Sequence, residues 1–583
     1  MTTTDPMSRT QPIRPLDQQQ RDQLDAAIIE LASGAKRWAS TPLSERAALL
    51  GAVHAAMTAA AQEWAETATA IKGLDPSSQL VGEEWISGPY ASLSGAGTLA
   101  QSIAALAAGR SPLASSRFRT APGGRVIVPV LPTNGYEWLL LHGFSAEIWM
   151  APGRSPEEVR ASAGLGELTP TRSGGVGLVL GAGNITSIPP LDVLYEIVAN
   201  NRSVLLKLNP VMAGMKSVFD KALAPLIKFG VLRIVQGAGD VGAYLTQHNG
   251  IAHVHITGNA ATHDAIVWGT GADAASRKAT GTPLLGKPIT SELGGVSPII
   301  VLPSAWTKHD LRYQAEHVVT QRLHNGGYNC IAGQVVVVSS NWPQKKAFLA
   351  ELRRALAAAP QRPAWYPGSD GRMRAASAAY PTAERMGQDG CRLLIDVTAE
   401  DDASNVITTE YFSPVLGVVE VPGTGQAFLD AAVTLANDEF VGTLGANLIV
   451  EPQVIRQLGT GFLESIALLR YGTIAINAWT GLGFLTATAS WGAFPGATID
   501  NVQSGIGTVH NALLIDRPER TIVRGPFRPF PRSFAHGEFT LFPKPPWFVQ
   551  ARSAATTGRR LAGFAAKPSW LKMPAIFLAA FRA

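Results

Sequence analysis

The sequence predicts an α/β protein built on mostly parallel sheet and divided into more than one domain. Three observations carry this expectation. The chain has 583 residues, and a single hydrophobic core stops growing well short of that length. Short apolar runs alternate with helical stretches from about residue 174 to 257, and again from 299 to about 476. Strands separated by helices of that length need crossover connections and therefore lie parallel. Hydrophobic residues make up 46% of the chain and charged residues 16%, with a net charge of +5. That balance excludes a disordered polymer, and so small an excess of positive charge does not argue for nucleic acid.

Residues 1–14 read as a loose tail. The stretch MTTTDPMSRTQPIRPLDQQQ has no apolar run behind its charges, so it is not a secretory signal. Nowhere is there an apolar run of about 18 residues, the length of a spanning helix. Residues 17–32 carry Leu24, Ile28 and Leu31 at helical spacing. A second helix begins at Thr41-Pro42, a cap followed by proline at the first position, and stops before Asp75-Pro76. Residues 76–173 hold Trp85, Trp138 and Trp149, show weaker periodicity and carry no assignable role.

From Gly174 the strands fall at 177–180, 203–207, 231–235 and 253–257. The intervening helices cover 188–200, a stretch ending near Phe229, and 241–247. Residues 551–583 differ in kind. They hold Arg552, Arg559, Arg560, Lys567, Lys572 and Arg582 with no acidic residue, and apolar side chains such as Phe564, Trp570, Leu571 and Leu578 are interleaved. Such a segment suits an arm packed on its own protein or on a subunit partner. It also suits contact with an anionic membrane face. Pro568 and Pro574 break the continuous helix that a membrane anchor would use, which favours the packed arm. Two cysteines, Cys330 and Cys391, form one disulfide at most, and such low usage points to the reducing cytoplasm.

Five stretches carry candidate chemistry, each with a bland counterpart. Cys330 lies in HNGGYNCIAGQVVVV. Backbone N–H groups at a tight turn favour the thiolate, the nucleophilic form, and glycines let a substrate approach; the counterpart is an inert small core residue. Cys391, in GQDGCRLLID, fits that counterpart and is assigned no role. Glu292, in TSELGGVSPIIV, is suited to act as a general base on water, or else is a surface glutamate beside a turn. Asn184, in GAGNITSIPP at a strand's C-terminal end, offers an N–H₂ to a developing oxyanion, or else satisfies a turn. Lys207, in VLLKLNP, reaches ribose hydroxyls or is simply solvated. Gly237, Gly239 and Gly242 spell G-x-G-x-x-G between a strand and a helix, a weak dinucleotide signal whose acidic partner, Asp264, falls inside a helix. No His/Cys cluster has metal-ligand spacing, so no metal site is expected.

Taken in order, VHITGN, SELGGVSPIIV, NGGYNCIAGQVVVV, TEYFSPVLGVVEV, LANDEFVGTLGANL and RYGTIAIN resemble the motifs of the aldehyde dehydrogenase superfamily, from about Gly174 to Asn511. The resemblance implies two Rossmann-like parallel-sheet domains, one for cofactor and one for catalysis, plus an oligomerisation segment. The implied division is a tail (1–14), N-terminal helices with the NAD(P)-binding domain (15–296), a catalytic domain (297–480), a return to the cofactor domain with the oligomerisation segment (481–545), and a basic, apolar extension (546–583). It implies Cys330 as nucleophile, Glu292 as activator of water, and Asn184 with the Cys330 N–H as oxyanion hole. Lys207 would hold the adenine ribose, Glu410 the nicotinamide ribose, and Phe412 the nicotinamide ring. Gly239, Thr257, Gly258, Asn259, Leu293 and Gly294 would border the dinucleotide, with the pyrophosphate nearest the helix after Asn259. The expected reaction is NAD- or NADP-dependent oxidation of an aldehyde to a carboxylic acid by a homodimer or homotetramer, residues 508–523 supplying a strand to a neighbouring subunit. Alternatives on the same fold are a CoA-dependent acylating enzyme or fatty acyl-CoA reductase, and a non-catalytic binding or structural subunit.

This chain departs from the family pattern at Ile185-Thr186, where Phe-Pro is usual, at Asn259 for serine, and at Val296 for lysine. Pro210 stands where many NAD-preferring members carry glutamate, so no carboxylate there opposes a 2′-phosphate.

Overall fold

A computed structural model describes residues 16–397 and 401–583; the expected tail at 1–14 lies outside the described residues. Two sheets organise the chain. The smaller runs in the order Gly505–Ile506, Ile289–Leu293, His253–Gly258, Val176–Leu180, Ser203–Lys207, Leu232–Val235. Its five longer strands pair parallel, and the two-residue strand closes one edge antiparallel. The larger sheet has eleven strands, with the parallel block Thr473–Ile476, Gly445–Ile449, Ser297–Val301, Gly333–Ser339, Val415–Val421 and Arg392–Asp396 at its centre.

Side-chain alternation explains why both faces of these strands are apolar. Along Gly333–Ser339, Val335 and Val337 enter one core while Val336 and Val338 enter the core on the opposite face. In the smaller sheet Val176 and Leu178 face one way and Val179 the other. A parallel sheet covered by helices on both sides requires such continuous apolar runs.

At the N-terminus the helix Gln18–Ser40 is longer than its periodicity suggests, starting from an Asp17/Gln20 capping box. Thr41 closes this first helix, its Oγ1 donating to the Arg37 carbonyl at 2.8 Å; it does not cap the second, Leu43–Ile71, which follows Pro42. Arg46 ties these helices down. Its buried guanidinium meets Glu167 and Asn201 at 2.7 Å and the Trp38 and Pro170 carbonyls at 2.6 and 2.8 Å. A buried charge is tolerable only with that degree of satisfaction.

The expected domain division needs two corrections. Arg119–Ala121, Arg125–Leu131 and Ser145–Met150, grouped with the cofactor side, join the larger sheet instead. Residues 481–545 are split: Gly505–Ile506 belongs to the smaller sheet and Pro518–Arg524 to the larger. Within the span expected to serve a neighbouring subunit, Thr508–Asn511 pairs with Ser490–Gly492, and Pro518–Arg524 lies between Thr473–Ile476 and Ser145–Met150 of the same chain.

The C-terminal extension packs on its own chain. The helix Ala554–Ala566 approaches Val81–Trp85 so closely that a Cβ on Gly82 would sit 2.5 Å from the Ala554 carbonyl oxygen. Pro568 falls in the break after this helix. Pro574 does not break the next one, Met573–Ala580, because it sits in the first turn, where no N–H is needed.

Candidate active site

The candidate residues gather where the two sheets meet, with Cys330, just before a strand of the larger sheet, touching Glu292 on a strand of the smaller. The helix Lys308–Leu323 ends in the turn His324–Gly327, which delivers Cys330 just before the strand Gly333–Ser339. Asn325, Gly326 and Gly327 all adopt left-handed backbone, with φ of 56°, 72° and 83°. Asparagine and glycine are the residues that tolerate this at low cost. The turn is then fixed by a buried polar cluster. The Asn325 N–H donates to Glu83 Oε2 at 2.9 Å, and its side-chain oxygen accepts from Lys72 Nζ at 3.0 Å and from Arg362 at 3.2 Å. Its amide N–H₂ donates to the Asn184 and Tyr328 carbonyls and to Asn329. Lys72 pairs with Glu84 at 2.8 Å, and Arg362 with Glu83 and Glu84.

Sequence reasoning missed this cluster and left residues 76–173 without a role. Glu83-Glu84 before a tryptophan was a signal, since two adjacent acids in an apolar helix need buried cations. Asn325→Ala is expected to destabilise the protein by about 3 kcal/mol, because it strands charged donors and places alanine in left-handed backbone. Denaturant titration measures this; a loss under about 1 kcal/mol would show the cluster to be dispensable.

Cys330 keeps partial exposure, and its Sγ donates to Glu292 Oε1 at 3.3 Å. Glu292 lies one residue before the end of the strand Ile289–Leu293 and is buried, and its Oε2 makes no hydrogen bond in the described residues. Burial raises its pKa, with Asp192 adding to the effect; the charge of His510 and the Trp491 indole oppose it. Burial also pushes the Cys330 thiol well above its ordinary range, and the carboxylates of Glu292 and Glu410 push the same way. The thiol is therefore held as a donor against the Glu292 oxygen, and its negative neighbours oppose its ionisation. Alkylation of Cys330 by iodoacetamide is expected to accelerate steadily into the alkaline range, and Glu292→Gln to accelerate it several-fold at neutral pH by removing a negative neighbour. Equal rates in the two proteins would sever the electrostatic link between these groups.

Asn184 is brought to the same turn, where its N–H₂ donates to the Tyr328 carbonyl at 2.9 Å. That bond takes one of its two amide hydrogens. Arg322 braces the far side through the Gly327 carbonyl at 3.1 Å and the Ser413 carbonyl.

The other candidates line the C-terminal edge of the smaller sheet, where parallel α/β sheets take ligands. Lys207 ends its strand nearly buried; burial lowers its pKa, and Asp240 partly offsets this. Gly239 opens the helix Gly239–Gln247 at the neighbouring strand end and is exposed. Gly258 and Asn259 lie open before the helix Ala260–Trp268, whose Thr262 N–H the Asn259 side chain caps at 2.8 Å. Thr257 points inward, its hydroxyl donating to Asp192 at 3.1 Å. Leu293 contributes no free donor, since its side chain is buried and its N–H bonds Ser504 at 2.8 Å. Glu410 lies against Gly294, where a Cβ would come within 1.9 Å of its carboxylate. Burial pushes Glu410 up to about 7, and its Oε1 is buried without a hydrogen bond in the described residues. Phe412, at φ 43°, packs on Tyr366 with ring centres 5.0 Å apart.

A second group went unrecognised in the sequence. Under the helix Ile188–Ala199, Asp192 meets His510 at 2.9 Å and His255 at 3.6 Å, while Glu196 meets His253 at 3.5 Å and Arg202 at 2.6 Å. The alternation of His253, His255 and Thr257 puts all three on one sheet face, and Thr257 is the cross-strand partner of Glu292. The i, i+4 spacing of Asp192 and Glu196 meets that face.

These groups fit a dinucleotide. The Glu410 Oε1 makes no hydrogen bond among the described residues, glycines at 258 and 294 keep side chains out of the space between the strand ends, and an exposed helix N-terminus suits phosphate.

The sequence pattern of the aldehyde dehydrogenase family matches residues 190–370, a span that holds Lys207, Glu292 and Cys330. Betaine aldehyde dehydrogenase 2 of Rhizobium meliloti (strain 1021) is 36% identical over 129 residues, covering 22% of this chain and 23% of that protein. The matched stretch thus spans under a quarter of that relative's length. An NADP-dependent glyceraldehyde-3-phosphate dehydrogenase from Bacillus halodurans C-125, complexed with NADP, shares the fold with a TM-score of 0.56. The two are 18% identical over 87% of this chain and 91% of that one. An NAD-dependent aldehyde dehydrogenase from Sinorhizobium meliloti gives a TM-score of 0.56 at 19% identity, covering 86% of each chain.

Proposed function

From the chain's membership of the aldehyde dehydrogenase superfamily, as a divergent member, we propose that it oxidises an aldehyde to a carboxylic acid with a nicotinamide dinucleotide, Cys330 acting as nucleophile. The observation that carries this reading is the 3.3 Å contact between Cys330 Sγ and Glu292 Oε1.

The Cys330 thiol gives its proton to solvent, and the thiolate adds to the aldehyde carbon. The Cys330 N–H and the remaining amide hydrogen of Asn184 stabilise the oxyanion. Lys207 and Glu410 hold the two riboses, the glycines at 239, 258 and 294 let the dinucleotide approach, and Phe412 presses the nicotinamide into place. A bound nicotinamide would accept the hydride that the substrate carbon gives up. The acyl group then rests on Cys330 as a thioester. The Glu292 carboxylate draws a proton from water, whose oxygen attacks the acyl carbon. The carboxylic acid departs and the thiol is restored. Pro210 places no carboxylate near the ribose of Lys207, so this reading allows either NAD or NADP.

The test is reduced-nicotinamide absorbance with purified protein, a panel of short, fatty and aromatic aldehydes, and both dinucleotides, each with and without CoA. CoA-independent turnover is expected. Turnover that requires CoA would replace water by CoA as acyl acceptor, and binding of dinucleotide without turnover of any aldehyde would overturn the catalytic reading.

A further inference from the structure

The described residues leave fourteen large hydrophobic side chains exposed, and eight of them gather in one region: Trp138 and seven side chains between residues 530 and 581. Ring contacts show that the region is continuous. They run from Trp138 to His142 (5.2 Å), to Phe539 (6.5 Å), to Phe534 (5.7 Å), to Phe530 (5.8 Å) and to Phe581 (6.4 Å). Trp570 joins it by packing on Tyr136, 4.3 Å away, on the helix that carries Trp138. The most exposed members are Leu571, 92% exposed in the turn between the two C-terminal helices, and Leu578, 62% exposed.

Cations frame this apolar face. Residues 552–583 hold six lysines and arginines and no side-chain carboxylate. Arg560 donates to the Ala575 carbonyl, and Lys572 donates to the Gly563 and Lys567 carbonyls at 2.7 and 2.9 Å. Those backbone partners fix where the charges sit without neutralising them. Arg582 follows Phe581 at the far end of the second helix.

We propose that this face docks the protein on an anionic lipid surface, with Leu571, Leu578 and the two tryptophans entering the headgroup layer. Aromatic and leucine side chains beside unpaired cations are the composition that such surfaces select. No helix among the described residues is long and apolar enough to cross a membrane, so contact is with the surface. A second copy of the chain fits less well, since a two-fold contact through this face would set the same uncompensated cations against each other. The break at Pro568 serves this mode of contact by presenting a turn, tipped by Leu571, in place of one long helix.

The test is co-sedimentation of the full chain with vesicles of equimolar phosphatidylglycerol and phosphatidylcholine, beside vesicles of phosphatidylcholine alone. Expected is binding to the anionic vesicles that weakens at high salt. The double variant Lys567→Gln/Arg582→Gln should lower the partition coefficient roughly 30-fold, and Leu571→Asp/Leu578→Asp by roughly 100-fold or more. All four side chains are outside the candidate active site, so unchanged circular dichroism and thermal melts are expected. No binding of the full chain to anionic vesicles, or binding that survives both variants, would overturn the proposal. So would concentration-dependent dimerisation in sedimentation velocity that the aspartate variant abolishes, which would make the face a self-association surface. None of these readouts depends on aldehyde oxidation, so this proposal and the catalytic one fail separately.

Discussion

Cys330→Ala is expected to lower kcat/KM for aldehyde oxidation by a factor on the order of 10⁴ to 10⁶, the loss seen when a covalent nucleophile is removed and its machinery left in place. The reason is chemical. An aldehyde carbon yields its hydride readily only after addition has made it a tetrahedral alkoxide, and Cys330 is the thiol that lies against Glu292. Dinucleotide affinity should stay within about threefold of the parent, because the residues at the strand ends are untouched. The fold should survive as well, since alanine is small and Cys330 is only partly buried. Steady-state kinetics and dinucleotide fluorescence titration measure the two quantities. A variant retaining a tenth of the activity would remove Cys330 from the mechanism.

Glu292→Gln should leave a different signature. Steady-state turnover is expected to fall roughly 10²- to 10⁴-fold, the range for loss of a general base. The first turnover should survive far better, because deletion of the carboxylate also eases ionisation of the thiol. Stopped-flow absorbance should therefore show a burst of reduced nicotinamide matching the enzyme concentration, then a slow phase, with an acyl-enzyme detectable by mass spectrometry. The pH profile follows in sign. Burial raises the Glu292 carboxyl above its ordinary value, so in the parent enzyme the hydrolytic step should slow as pH falls through that raised value and Glu292 is protonated. The variant should lose this limb. Loss of the burst along with the steady state would place Glu292 in the first chemical step instead of the second.

How much of this was legible in the sequence differs by type of information. The strands at 203–207 and 253–257 could be read almost to the residue, the first from its apolar run Val204-Leu205-Leu206 and the second from its place in the repeat of strands and helices. Cys330 and Glu292 stood out because each interrupts a glycine-rich stretch that precedes a strand. Partnership across the chain was not legible. Nothing near Lys72 or Glu83 announces Asn325, since the pairing exists only once the second helix lies beside the catalytic turn. Asp192 and Glu196 resemble ordinary helix carboxylates until the sheet presents His253 and His255 beneath them. The strand at 518–524 was expected only through the resemblance, as part of 508–523 reaching a neighbouring subunit, and local pattern contains no term for which sheet a strand enters.

That last strand has a consequence for how the protein is made. Pro518–Arg524 bridges Ser145–Met150 to the centre of the larger sheet, yet about 370 residues separate the two in the chain. At ordinary ribosomal speeds of about 5–20 residues per second, the hairpin of Arg125–Leu131 and Ser145–Met150 waits roughly 20–70 s for its neighbour. Throughout that interval its outer backbone groups form an open edge on the nascent chain, the kind of edge to which foreign strands add. Assembly of the eleven-stranded sheet is thus a late, long-range closure, slow by the logic of contact order.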